Sequence, residues 1–430
     1  MHSKRRLAEN IAALTMVQVL SYAAPLITVP YLVRVLQPFH FGLVSFAQGL
    51  ALYFRVTTDY GFDLSATRAI AASHQKPDSL ARIFWSTMCA KAMLAAGSAA
   101  ALTLLVTFIP KLHATPEIFA VSFLYVLGTT LYPVWLFQGT QELKLAALAF
   151  GVARLVTIPA IFLFVHRPQD YVKAGAIQAG VELIASAIAM PVIWRRLNIA
   201  WYCPSRADIA NCFRQGWPLF LSGSALYLSQ SSTTVILGFV GGAAQVGYYS
   251  AAEKLIKAAS AALNPITQAL YPHITAVRAE SQTQALQLIR KSLAVAGGLS
   301  LLVSVSVLCL ARPIGGIVLG HSFGPSIYIL QCLAPLPLLS GLTAIFGTQT
   351  MLTFEMDAAM SRIMLASVAL GMPLTLLLSW RFGAQGAAIA SVTVAFLVVL
   401  SMILVLRRRG LNIWRETADL PMAGAGVIDR

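Results

Sequence analysis

Charge is what this sequence has least of. Of its 430 residues only 11% are charged, against 58% hydrophobic. Soluble domains carry about 25% charged residues, and so apolar a chain has too little polar surface to stay in water alone. Lipid removes that difficulty. Cysteine is scarce too. Cys89, Cys203, Cys212, Cys309 and Cys332 share no CxxC or other metal spacing, which argues against a disulfide framework or a cysteine metal site. The seven histidines form no HxxxH cluster, and no GxxxxGK(S/T) phosphate loop occurs. No cofactor, metal or ATP site is expected. Loops long enough for a catalytic domain are missing as well.

What the chain does have is long apolar runs. A membrane span needs about 20 mostly apolar residues. Twelve stretches qualify, near 10–34, 41–62, 83–109, 115–138, 145–165, 174–194, 213–239, 243–270, 291–311, 324–352, 360–380 and 385–406. Gln37-Pro38, Thr115-Pro116, Arg167-Pro168, Gly241-Gly242 and Arg312-Pro313 supply turn signals between them. The predicted fold is an all-α integral membrane protein. The run after Lys4-Arg5-Arg6 is too long for a cleaved signal and is read as the first span.

Basic residues outnumber acidic ones, 31 to 16. In a soluble protein that would suggest nucleic acid, but no domain here could form a groove for it. The excess is unevenly placed instead. With twelve spans, 20 Lys and Arg fall on the side of the N-terminus and six on the other: Arg34, Lys111, Arg167, Lys173, Arg312 and Arg381. The positive-inside rule then predicts both termini in the cytoplasm.

The chain reads as two six-helix units, 1–205 and 206–414, with a polar tail at 415–430. Phe41-Gly42-Leu43-Val44-Ser45-Phe46-Ala47 and Val246-Gly247-Tyr248-Tyr249-Ser250-Ala251-Ala252 both fit apolar-Gly-x-x-Ser-x-Ala, at the starts of the second and eighth spans. An even number of spans per unit gives both units the same orientation, with a cleft between them.

Several charges fall inside spans: Arg55, Asp59, Lys91, Arg154, Glu182, Glu253, Lys254 and Lys257. Each costs about 2.5–3.5 kcal/mol at a helix centre, so they are expected to face one another or a watery cavity. Five are basic and three acidic, and the surplus suits an anionic ligand. Helical spacing allows the pairs Arg55–Asp59 and Glu253–Lys257. Arg154, Lys254 and Lys91 are left without a local partner, although Lys91 could snorkel to the cytoplasmic end. Glu182 could pair with any of these bases. Tyr227, Gln230, Asn264 and Gln268 add polar groups on the seventh and eighth spans, suited either to sugar hydroxyls or to contacts between helices. Pro25, Pro30, Pro218, Pro265, Pro335 and Pro337 mark expected bends.

Pro30-Tyr31-Leu32-Val33-Arg34-Val35-Leu36 before Phe41-Gly42, and Tyr53 leading to Asp59-Tyr60-Gly61-Phe62-Asp63-Leu64-Ser65-Ala66-Thr67-Arg68, resemble the opening of bacterial polysaccharide-unit flippases of the Wzx type. These belong to the multidrug/oligosaccharidyl-lipid/polysaccharide exporter superfamily. Gln37 departs from the glycine usual after Val-Leu. The resemblance implies two six-helix bundles around a V-shaped cavity in the bacterial inner membrane. The implied cargo is an undecaprenyl-pyrophosphate-linked oligosaccharide for O-antigen or exopolysaccharide synthesis, with a polymerase and a chain-length regulator as partners. It also makes Arg34 a head-group candidate. Arg55, Arg154, Lys254, Lys257 and Lys91 are further substrate-binding candidates, read from charge and depth. With no ATP site, H+ or Na+ antiport is the remaining drive, and Asp59, Glu253 and Glu182 are the coupling candidates. The alternatives are a multidrug exporter, which a basic cavity disfavours, a peptidoglycan-precursor flippase, which usually has two more helices, and a polysaccharide polymerase or ligase, which would need a large outer loop.

Overall fold

Proline and glycine set the limits of the helices. Pro77 and Pro116 occupy first helical positions, starting Pro77–Phe108 and Pro116–Leu131, where the missing N–H costs nothing. Gln37, just before Pro38, has φ 61° and breaks the long helix His2–Asp59 in two. A residue preceding proline is pushed out of the α region. Gly383, at φ 58°, does the same within Asp357–Arg408. One expected turn is displaced: Pro313 lies inside Gly298–Ile314, the coil continues through wider π turns at Gly315–Leu319, and the reversal comes at Gly320, φ 81°. Pro25 and Pro30 are carried inside the first helix without a non-helical residue.

This computed structural model describes the backbone of residues 2–73, 76–261 and 263–411, and side chains from Ala24 onward within these, except 222, 224–231 and 264–269. Tyr227, Gln230, Asn264, Gln268, the basic Lys4-Arg5-Arg6 and the tail 415–430 therefore lie outside the described side chains. Among the described residues there is no strand. Eight helical stretches among the described residues are long and apolar enough to cross a membrane, and two of them, Ala24–Ala72 and Asp357–Arg408, contain the Gln37 and Gly383 breaks. Their outward faces are apolar: Phe108 is 77% exposed and Trp380 74%. Apolar exposure on this scale marks a surface covered by lipid.

Two compact units result. One comprises Met1–Ala258, Leu310–Leu333 and Val368–Ser391. One core of this unit gathers Phe84, Trp135, Leu136 and Phe137 with Ile70 and Ile193, all almost fully buried. Gly139 makes room for Ile70, whose Cβ would lie 2.7 Å from an added methyl. In the same unit the glycines of the two matching strings meet. A Cβ on Gly42 would sit 1.7 Å from the Ala243 carbonyl oxygen, and one on Gly247 would sit 2.0 Å from that of Pro38. The two backbones touch there with no side chain between them. The other unit comprises Ala259–Cys309, Ala334–Ser367 and Val392–Arg430. Ile274, Ile289, Ile345, Phe346, Met351 and Met402 form its core.

Candidate functional site

The charges predicted inside spans, from Arg55 to Lys257, all lie in the first unit. Arg55 and Asp59, one turn apart, pair at 3.1 Å. Arg55 also donates to the Tyr125 hydroxyl. Lys91 enters from the helix Pro77–Phe108 and holds Asp59 at 3.0 Å and Asp63 at 3.3 Å. These groups line a cavity of about 330 Å³ together with Tyr132, Gln138 and Glu182. Two bases and two acids make the cluster neutral. Lys91 has no partner on its own helix, but the expectation that it could snorkel is corrected: its side chain is 1% exposed and held by two carboxylates from other helices. Sequence spacing cannot show such a pairing, because it joins different helices. Asp63 was visible only as part of a motif, and Tyr125 carried no charge to draw attention.

A second cavity, about 430 Å³, is lined by Arg154, Lys254, Lys257 and Glu182, with Gln48, Ser122, Tyr125 and Gln178 among its polar groups. Lys257 pairs with Glu253 at 3.0 Å, as helical spacing predicts. Lys254 lies over the Phe41 ring, 4.7 Å from its centroid, and the Arg154 guanidinium lies over Phe150 at 5.3 Å. Neither Lys254 nor Arg154 forms an ion pair among the described residues. Three buried polar atoms on this lining lack a hydrogen-bond partner in the structure: Ser122 Oγ, Arg154 Nε and Glu182 Oε2. Buried polar atoms are usually satisfied, and Arg154 and Lys254 are half-buried cations with no ion pair to offset their desolvation. The cavity therefore has unmet capacity for both an anion and a hydrogen-bonding group.

Glu182 lines both cavities. It is brought there because Gly128 lets the helix Pro116–Leu131 approach closely: an added Cβ would lie 2.8 Å from that of Glu182. Tyr125 links the two sites, lining the larger cavity while accepting from Arg55 in the smaller. Arg34 is not brought to either lining. It is exposed, and its guanidinium donates to the carbonyl of Ile317. The reason is its position just ahead of the Gln37 break, where it covers the carbonyl-rich end of another helix. Lys111 does the same for the Phe239 carbonyl.

A helical chain with lipid-facing surfaces and a charged internal cavity is a multi-pass membrane protein of transporter type. Comparison with known proteins narrows this. The pattern of the polysaccharide biosynthesis protein family matches residues 7–278. A protein of Escherichia coli (strain K12) bearing the name "Putative O-antigen transporter" is 32% identical over 95% of this chain and 99% of its own length. A like-named protein of Shigella dysenteriae is 26% identical over 92% and 98%. The chain belongs to the polysaccharide biosynthesis protein family, and within it to the transporters rather than the enzymes. Solved structures agree on the fold. An inward-facing multidrug resistance MATE family transporter of the MOP superfamily matches with TM-score 0.71 at 12% identity, over 93% of this chain and 98% of that one. The lipid II flippase MurJ, in an inward closed conformation, matches with TM-score 0.65 at 12% identity, over 91% and 87%.

Proposed function

We propose that this protein is a flippase carrying undecaprenyl-pyrophosphate-linked oligosaccharide units across the bacterial inner membrane, both termini facing the cytoplasm. One observation carries the reading: Arg154 and Lys254 line a single cavity, and neither forms an ion pair among the described residues. A pyrophosphate between them would pair with both half-buried cations and offset their partial desolvation. The unpartnered Ser122 Oγ and Glu182 Oε2 would meet hydroxyls of the first sugar, while the polyprenyl tail stays in lipid. The halves 1–205 and 206–414 would alternate access to this site. A polymerase and a chain-length regulator would take up the product, as O-antigen or exopolysaccharide.

The test is transfer of a pyrophosphate-linked oligosaccharide across proteoliposomes. A charge-assisted hydrogen bond is worth about 1.5–3 kcal/mol, so K254Q and R154Q should each slow transfer about tenfold or more. Wild-type rates in both would remove the proposal. Exchange of H+ or Na+ would drive the cycle through Asp59, Glu253 or Glu182, each within reach of a base whose pairing changes on protonation. In E253Q, transfer should become indifferent to an imposed pH gradient. Unchanged dependence would exclude Glu253.

A further inference from the structure

A cluster of tryptophans lies apart from the two cavity linings. Three tryptophans form one contiguous cluster. Trp85 comes from the helix Pro77–Phe108, Trp194 from the last turn of Val181–Leu197, and Trp201 from the segment 198–205 that follows it. The ring of Trp85 lies 5.8 Å from that of Trp194 and 4.2 Å from that of Trp201. Its indole N–H donates to the Ala200 carbonyl at 3.1 Å, which pins the segment onto the helix. Yet Trp194 remains 41% exposed and Trp201 76%. A packed indole cluster left open in this way fits the membrane interface, where one edge meets lipid and the other meets head groups.

Cations stand at the same depth. Arg195 and Arg196 follow Trp194 in the same final turn, and a helix rises about 1.5 Å per residue, so their backbones lie within about 3 Å of its level. Both are exposed, and neither forms an ion pair among the described residues. The nearest following acid, Asp208, is already taken. Arg82 and Tyr202 donate to it at 2.7 and 2.8 Å, and the hydroxyl and backbone N–H of Ser205 donate to it as well. Nothing described in the protein neutralises this arginine pair beside its exposed indoles.

We propose that Trp194, Trp201, Arg195 and Arg196 bind an anionic phospholipid of the surrounding leaflet. Its phosphate sits on the two guanidinium groups, and its glycerol backbone and upper acyl chain lie against the indole cluster. The binding holds the segment 198–205, the connection between the sixth and seventh predicted spans, at the membrane surface. It does not depend on the transport reading and persists when no oligosaccharide-lipid is present.

The experiment reconstitutes the full chain into phosphatidylcholine vesicles that contain equal mole fractions of either dibrominated phosphatidylglycerol or dibrominated phosphatidylcholine. Bromine quenches nearby indoles, and the fluorescence lost between wild type and W201F isolates Trp201. Two surface arginines should enrich anionic lipid locally on the order of tenfold, so the glycerol lipid should quench Trp201 more strongly, and R195Q/R196Q should abolish that difference. R381Q, which removes a basic residue elsewhere in the chain, should keep it. Equal quenching by the two lipids in wild type overturns the proposal. So does a preference that survives R195Q/R196Q, or one lost equally in R381Q, since either would show only a general attraction of charge.

Discussion

Lys91 and Lys254 are the same residue type inside predicted spans, and their surroundings separate them. Lys91 is held by Asp59 and Asp63, while Lys254 has an aromatic face and a cavity. Removing Lys91 strands Asp63 and leaves Asp59 with Arg55 alone, and breaking a buried pair costs about 3–5 kcal/mol. K91M should therefore lower thermal stability in detergent, toward the low end of that range because the Asp63 side chain is 42% exposed. K254Q should leave the melting temperature near that of wild type while transport falls. Thermal unfolding and transport measured on the same preparations check both outcomes. The i,i+4 pairs were readable from spacing. Lys91's partners were not, since Asp59 and Asp63 reach it only when separate helices pack.

Elements are joined where side chains are absent or fully paired. Gly42 and Gly247 bring two helices into backbone contact, and overpacking such a point costs about 1–3 kcal/mol. G42V and G247V should each lower the melting temperature. G97A, in a helix with nothing within 4 Å of the added methyl, should raise it slightly, because Gly inside a helix costs about 0.5–1 kcal/mol relative to Ala. Asp208, outside the predicted spans, ties the segment 198–205 to the helix Pro77–Phe108. The Ser205 hydroxyl, Tyr202 and Arg82 hold its carboxyl well below the usual carboxylate range. A lowered folded value gives stability that is present above the unfolded value, about 3.9, and is lost as pH falls through the folded one. D208N should be less stable than wild type at pH 7, and the gap should narrow as pH drops below about 4. Melting curves across that range decide it.

At the scale of the molecule, the transporter's orientation can be measured. Cys203 is exposed in the segment 198–205, which the proposed topology puts on the cytoplasmic side. In intact cells a membrane-impermeant maleimide should leave Cys203 unlabelled, and permeabilising the inner membrane should expose it. Labelling of intact cells would reverse the proposed topology. The exposed apolar faces around Phe108 and Trp380 also predict aggregation on removal of detergent.

Composition alone made this chain a membrane protein, because apolar runs this long cannot be hidden in water. Local chemistry before proline placed the Gln37 break, and helical spacing matched Glu253 to Lys257. Only the tertiary structure decided which cations form ion pairs and which do not. That depends on which helices lie side by side, and a one-dimensional pattern carries charge and period but not neighbours. The same packing removed Arg34 from the cavity linings and brought Glu182 into both.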